Sequence, residues 1–142
     1  MPETIEALFD KGLERYNAKE DPSTLIPVFK ELCDRAPKTA AAWTCLAWLY
    51  LLEDKFSLAY KAAQKAVKLN PQDAQARVNL AVAMLGNRQT GVRQHIDLAL
   101  QLIMVDSEMR DEIQQNIADG LSRKPNWKEL ERVRKWLFDV EE

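Results

Sequence analysis

The sequence predicts an all-α fold in which antiparallel helix pairs stack into a solenoid. Three observations support this prediction. The 142 residues include only 4 glycines and are rich in helix-favouring alanine, leucine, lysine, glutamate and glutamine. The strand-like alternation of apolar and polar residues is hard to find anywhere. Pro37 and Pro71, which are 34 positions apart, each follow an amphipathic stretch. Because proline ends one helix and suits the first turn of the next, this interval indicates a repeated unit.

Composition limits the class of protein. A hydrophobic share of 46% with 30% charged residues is typical of a soluble globular chain, and 1–142 is most simply one domain. The net charge of −2 argues against a protein whose main task is to bind a phosphate backbone. The first ten residues carry acids where a secretion signal is basic, and the longest apolar stretch, Trp43 to Leu52, is about half a membrane span. We therefore expect a cytoplasmic protein with no membrane span.

The first helix pair is expected over about residues 4–37. Gly12 and Tyr16 belong to its first helix. Asp21 is placed to cap a second helix that begins at Pro22. The apolar positions of that second helix are Leu25, Phe29 and Leu32.

The second pair, over about 38–71, has the clearest pattern. Its first helix carries an apolar stripe with helical spacing: Trp43, Leu46, Ala47 and Tyr50. Its second helix places small residues at Ala59, Ala63 and Ala66, which lets the two helices approach closely. One such hairpin cannot bury both of its faces, so neighbouring pairs must stack on it.

The third pair, over about 72–106, repeats the stripe at Leu80, Ala81 and Met84 if the segment GNRQTG accommodates two extra residues. Ser107 stands where the next proline is due, so we expect the repeats to end there. Two further helices, over 107–142, are expected to seal the last pair, with Asn126 and Glu129 as a capping pair of the final helix.

These positions resemble the tetratricopeptide repeat. The family's tryptophan, leucine, small residue and tyrosine fall on Trp43, Leu46, Ala47 and Tyr50, its two packing alanines on Ala59 and Ala66, and its closing proline on Pro71. Ala63 departs from the pattern, since the family usually has a large aromatic there. The resemblance implies a right-handed superhelix with C-terminal capping helices. It also implies a concave groove, lined by the first helix of each repeat, that takes a peptide or a partner helix.

Carrying the family's groove positions onto this chain gives a candidate partner-binding surface. In the second and third repeats its residues are Thr44, Cys45, Trp48, Leu52, Gln75, Val78, Asn79 and Val82, with Ala41 beside them. In the first repeat the candidates are Phe9, Asp10 and Leu13. The paired basic residues with which chaperone-binding members hold a C-terminal carboxylate are missing, so we expect an apolar or amphipathic ligand.

Trp48 is the aromatic residue beyond the consensus, and it has two interpretations. It anchors a partner, because buried tryptophan is enriched at the energetic centres of interfaces. Alternatively, it packs under the N-terminal or C-terminal helix of its own chain. If the last helix folds back into the groove, the free protein is self-occluded.

No catalytic or metal chemistry is expected. His95, the only histidine, aligns with Ala59 near a helix–helix contact, where a structural role is expected. Cys33 and Cys45 show no metal-ligand spacing; we expect reduced core thiols, with a disulfide as the alternative. There is no phosphate-binding glycine loop and no nucleophile elbow, and no cofactor is expected.

The predicted function is therefore a non-catalytic adaptor, assembly factor or co-chaperone that is monomeric and binds a protein segment. Two alternatives remain. One is a self-assembling structural protein that pairs through the end of the stack or through Trp136. The other is an RNA-associated module, for which nucleic-acid binding is less expected. It would use a basic tail formed by Arg123, Lys124, Lys128, Arg132, Arg134 and Lys135.

Overall fold

A computed structural model describes residues 3–138 and shows an all-helical chain over that range. The helices are α1 (Ile5–Asn17), α2 (Pro22–Arg35), α3 (Ala40–Leu52), α4 (Phe56–Leu69), α5 (Ala74–Gly86), α6 (Val92–Val105), α7 (Ser107–Arg123) and α8 (Lys128–Phe138). The predicted all-α solenoid is confirmed. The last four positions of the expected 107–142 cap lie outside the described residues.

Side-chain caps start several helices, including α2, for which the sequence predicts the Asp21 cap. The Asp21 carboxylate accepts a hydrogen bond from the Ser23 backbone N–H, and Pro22 occupies the first position of α2. Asp73 and Asp106 cap α5 and α7 in the same way. Each cap satisfies a backbone donor that has no partner inside its helix.

The repeat is visible in helix spacing and in one recurring contact. α3 and α5 begin 34 residues apart, at Ala40 and Ala74, and the longer α5–α6 connection ends in Gly91, which has a left-handed φ of 88°. The Trp43 indole N–H donates to the Pro37 carbonyl at 2.9 Å. At the equivalent place one unit later, the Arg77 Nε–H donates to the Pro71 carbonyl at 3.3 Å. The second and third pairs therefore anchor their first helix to the preceding loop in the same way.

Close packing of helices depends on small residues. Ala59, Ala63 and Ala66 are fully buried where α4 meets α3 and α5. A single core continues through the stacked pairs into α7, α8 and the turn between them, which contribute Ile113, Ile117, Trp127, Leu130, Val133 and Leu137. The C-terminal helices thus bury apolar side chains against the stacked pairs.

α7 does not continue the stacking pattern of the three pairs. We call the side formed by the first helices α1, α3 and α5 the inner surface. α7 leaves α6, contacts α5 through Asn116 and reaches α1 and α3 with its last two turns. α8 then returns and packs on α5 and α6. A helix pair of the chain itself therefore covers much of the inner surface.

The turn between α7 and α8 differs from the prediction. Asn126 has a left-handed φ of 66°, and α8 begins two residues later at Lys128. The predicted Asn126–Glu129 capping pair is therefore wrong, because an N-cap residue directly precedes its helix and has extended backbone angles. Asn126 instead provides the left-handed residue of the turn, a conformation that asparagine tolerates better than most residues.

Candidate functional site

A half-open pocket of about 250 Å³ lies on the inner surface, with α7 forming part of its wall. Its walls come from α1, α2, α3, α5 and α7. The lining residues are Leu13, Tyr16, Asn17, Phe29, Thr44, Cys45, Trp48, Leu49, Gln75, Asn79 and Asn116. Five of the eight predicted groove residues therefore meet in one pocket, together with Leu13 of the first repeat.

A ladder of amide side chains forms the polar wall of this pocket. Asn116 Nδ2 donates to Gln75 Oε1 at 2.9 Å, and Gln75 Nε2 donates to Asn79 Oδ1 at 2.8 Å. Asn79, which is fully buried, donates to the Thr44 carbonyl at 3.0 Å. The ladder joins α7, α5 and α3 through uncharged groups.

Other predicted groove residues are buried rather than presented to solvent. Val78 and Val82 have no exposed surface, and Trp48 is 8% exposed. Leu52 is half-buried at the end of α3. Of the additional first-repeat candidates, Phe9 packs edge-on against Phe29, and Asp10 is exposed.

Trp48 lies under the C-terminal helices of its own chain. Its ring packs against Trp127 with centroids 5.4 Å apart, and its Nε1–H donates to the Tyr16 hydroxyl at 2.8 Å. Gly120 of α7 faces the same ring, and a Cβ added at Gly120 would stand 2.7 Å from Trp48 Cζ2 and 2.9 Å from a methyl of Leu130. Only a residue without a side chain allows α7 this approach.

Polar contacts surround that apolar centre. The Tyr16 hydroxyl donates to Asp119 Oδ2 at 2.5 Å, and Lys19 Nζ lies 3.3 Å from Asp119 Oδ1. Arg123 donates through Nε to Asp119 at 2.8 Å and through Nη2 to the Tyr16 carbonyl at 3.0 Å. Its guanidinium also stacks over the Tyr16 ring, with Cζ 3.8 Å from the ring centroid. We call these four side chains, Tyr16, Lys19, Asp119 and Arg123, the latch.

The latch changes the acidity of its members. Burial, together with the hydrogen bond to Asp119, raises the pKa of Tyr16 well above its usual value, so the hydroxyl remains a donor. Burial acts to raise the pKa of Asp119, but hydrogen bonds from Tyr16 and Arg123 outweigh it, and the net pKa is lowered. Asp119 is therefore a carboxylate at neutral pH and Tyr16 a neutral phenol.

A second set of contacts ties the end of α7 to the end of α3. Lys124 Nζ donates to the Leu51 carbonyl at 2.9 Å and pairs with Asp54. The same ammonium lies 4.2 Å from the centre of the Trp127 ring. Trp127 is buried, and its indole N–H has no hydrogen-bond partner within residues 3–138.

The predicted basic tail is not a single free surface. Arg123 and Lys124 bind the inner surface as described, and Arg134 pairs with Glu131. Arg132 stacks against Trp136, which Arg93 also approaches. Lys128 and Lys135 are exposed.

The remaining candidates occupy structural positions. His95 Nδ1 lies 3.0 Å from Arg77 Nη1, and burial, with the nearby Arg77 charge, lowers the pKa of the imidazole. Cys33 and Cys45 are both free thiols, and burial raises the pKa of each to about 12. Across residues 3–138, no three His, Cys, Asp or Glu side chains are grouped closely enough to share a metal ion. None of the described helices is long and apolar enough to cross a membrane.

Reasoning from the sequence missed Tyr16, Asn116, Asp119 and Gly120 as groove residues. Gly120 did carry a signal, because glycine inside a helix that is otherwise well formed indicates a close approach. No local pattern in the sequence indicates that Tyr16 and Asp119 are hydrogen-bond partners, since 103 positions separate them in the chain.

Solved structures, but not sequence comparisons, show relatives of this fold. No protein-family model matches the sequence, and no curated protein sequence matches it. The TPR2B domain of yeast Sti1, solved in a complex with pHsp70, is 15% identical with a TM-score of 0.68, covering 96% of this chain and 98% of that one. The Yersinia enterocolitica type III secretion translocator chaperone SycD is 18% identical with a TM-score of 0.67, covering 99% and 93%. The first TPR of Spaghetti (RPAP3), bound to an HSP90 peptide, is 19% identical with a TM-score of 0.57, covering 96% and 92%. The resemblance read from the sequence is thus confirmed at the level of architecture, and the fold of this chain is that of a tetratricopeptide-repeat domain.

Proposed function

We propose that the chain is a non-catalytic protein-interaction module, an adaptor, assembly factor or co-chaperone, that binds a segment of a partner protein at its inner surface. The observation that supports this most directly is the half-open apolar pocket among α1, α3, α5 and α7. Its volume of about 250 Å³ lies below the roughly 300–1,000 Å³ of small-molecule sites, which suits one or two protein side chains rather than a cofactor. The similar Sti1 domain was solved in a complex with pHsp70 and the similar RPAP3 domain with an HSP90 peptide, which supports a partner-binding role here.

The wall chemistry indicates an apolar side chain flanked by polypeptide backbone. Gln75 and Asn79 stand where a carboxylate clamp would need basic residues, and both already bond within the amide ladder. Amide side chains can hydrogen-bond a peptide backbone without selecting for charge. The rim residue Leu13, 37% exposed, extends the apolar wall towards solvent.

A peptide-display selection against the full chain tests this proposal. Selected peptides are synthesised, and their affinities are measured by calorimetry for the wild type and for Leu13→Glu, which places a charge at the pocket rim. We expect Leu13→Glu to weaken binding by on the order of tenfold or more, because an apolar ligand group must then pack against a carboxylate.

Leu98→Glu is the matched control, since Leu98 has a similar exposure of 40% but lies on α6 outside the pocket. Equal weakening by both variants, or selected peptides that bind both variants as tightly as the wild type, would contradict a site at this pocket. Circular dichroism of both variants confirms that the helical content is retained.

Self-assembly is the second candidate function, and one observation favours it. Met104 and Val105 are adjacent at the end of α6 and are 71% and 86% exposed, so a second copy could cover them. The RNA-associated alternative is less well supported, because four of the six basic tail residues are engaged in contacts within the chain. A cytoplasmic location belongs to the same proposal and agrees with two unpaired cysteines.

A further inference from the structure

The α7–α8 pair covers part of the inner surface that the proposed function assigns to a partner, and Asn116 of α7 forms one wall of the pocket. We infer that this pair is an internal occupant of the partner site, and that the partner is an amphipathic helix that displaces it. This inference rests on the proposed function and adds to it the class of partner and a means of control.

The inner surface and α7 match each other chemically along about one and a half turns. Tyr16 and Lys19 provide hydrogen-bond donors, and the Asp119 carboxylate accepts from both. Trp48 provides a flat apolar face, which Gly120 approaches. The carbonyls of Tyr16 and Leu51, with the Asp54 carboxylate, provide acceptors for two adjacent cations, Arg123 and Lys124. An acid, a glycine and a basic pair at the C-terminal end of α7 thus satisfy a fixed set of groups on α1 and α3 and just beyond their ends.

That order of residues describes the partner. A competing helix needs an acidic residue followed directly by glycine, and two basic residues three and four positions after that glycine. Its opposite face is free to vary. A protein that binds a helix in a groove generally contacts such anchor residues on one face of that helix.

Several features favour reversible attachment of α7–α8. The ion pairs Lys19–Asp119 and Lys124–Asp54 each include a side chain that is 66% exposed, and ion pairs of that kind contribute little. The buried indole N–H of Trp127 lacks a partner within the described part of the chain, which penalises the closed arrangement. The three helix pairs pack on one another through contacts that do not involve α7 or α8.

The experiment uses the full chain in a Cys33→Ala background, so that Cys45 is the only thiol. Cys45 and Asn116 of α7 both line the pocket, so the rate of maleimide labelling of Cys45 reports opening of the pair. Gly120→Ala adds a Cβ that collides with Trp48 and Leu130. The same substitution raises the helix propensity of α7, so it does not disrupt the helix itself. We expect labelling to be faster by on the order of tenfold in Gly120→Ala.

Asp119→Asn is a second, milder variant that removes the charge paired with Lys19 and Arg123 without adding bulk. Matched controls lie on exposed positions of the same helix. They are Gln114→Ala for the first variant and Asp111→Asn for the second. Both controls should label at the wild-type rate.

Binding is measured with a labelled synthetic peptide of residues 107–127, added to the same five proteins. Because apparent affinity scales with the fraction of open molecules, Gly120→Ala should bind this peptide tighter than the Cys33→Ala parent by the same factor as its labelling rises. A peptide with Gly120→Leu should not bind, since its side chain meets Trp48. Bound peptide should also slow Cys45 labelling.

The inference is overturned if Gly120→Ala and Asp119→Asn both label at the parent rate, which would make α7–α8 an inseparable part of the core. It is equally overturned if the open variants do not bind the 107–127 peptide. Either result leaves the proposed function standing provided that display-selected peptides still bind the wild type and are weakened by Leu13→Glu. Loss of that pattern instead removes the proposed function.

Discussion

Tyr16 connects three parts of the molecule through one hydroxyl group. The hydroxyl accepts from Trp48 of α3 and donates to Asp119 of α7, while the Tyr16 ring lies under Arg123. None of these partners is near Tyr16 in sequence. The sequence marked Tyr16 as a repeat position and Trp48 as an extra aromatic, but a local pattern contains no information about a residue 103 positions away. The connection depends on where α7 lies, and only the structure supplies that.

We predict that stability depends on the Tyr16 hydroxyl in alkaline solution. Because burial and the Asp119 hydrogen bond raise its pKa in the folded state, the stability it contributes is fully present below the unfolded value of about 10 and is lost as pH rises above it. Asp119, whose folded pKa is lowered, contributes stability that is lost only as pH falls below about 4. Tyr16→Phe should cost about 1–3 kcal/mol at pH 7, since Trp48 and Asp119 each lose a partner.

Urea unfolding at pH 7 and at pH 10.5 checks this prediction. The cost of Tyr16→Phe should be smaller at the higher pH, because the wild type alone loses the tyrosine contribution. Subtracting the variant removes the effect of Tyr50 and the two cysteines, whose pKa values are also raised. A cost that is the same at both pH values would mean that the latch does not hold the phenol in its neutral form.

At the scale of elements, helices and helix pairs could be predicted because their signals are local. Pro37, Pro71 and the capping residue Asp21 mark helix ends, and a stripe of apolar residues marks one face. The path of α7 could not be predicted in the same way. Its apolar residues Ile113 and Ile117 show that one face is buried, but not whether α6 or the inner surface buries it. The prediction of a cap at Asn126 was wrong for a related reason, since a left-handed turn residue and an N-cap residue have similar sequence preferences.

The alanines of α4 give a prediction at this scale. Ala63 stands where the repeat family usually has a large aromatic, yet it is fully buried with α3 and α5 close on either side. We predict that restoring the consensus with Ala63→Phe lowers stability by about 1–3 kcal/mol, because no space is left for the ring. Thermal unfolding followed by circular dichroism should show a lower Tm.

Gln64→Phe, on the adjacent exposed position of α4, is the control for helix propensity and should change Tm little. An Ala63→Phe protein as stable as the wild type would show that the contacts of α4 adjust more freely than the full burial of its alanines indicates.

At the scale of the whole molecule, closure by α7–α8 decides how much apolar surface the protein presents. Within residues 3–138 the large exposed apolar side chains are Leu13, Leu58, Leu98, Met104 and Val105, which are spread over α1, α4 and α6. Apart from the adjacent pair Met104 and Val105 these residues are scattered, and together they do not make the roughly 800 Å² per partner that a stable dimer buries. We therefore expect the closed wild type to be a monomer of 16.3 kDa by light scattering across a concentration series.

Displacement of α7–α8 from the inner surface should allow the protein to associate. When α7–α8 leaves the inner surface, Trp48, Trp127, Ile113 and Ile117 become available together, and a large continuous apolar surface favours association. Gly120→Ala should therefore show a mass that rises with concentration, while Gln114→Ala stays monomeric. Val105→Lys distinguishes association through the inner surface from association through the end of α6, because it adds a charge at Val105 and leaves the inner surface unchanged. If the wild type already associates and Val105→Lys abolishes it, the exposed end of α6 rather than the inner surface is where copies of this chain meet.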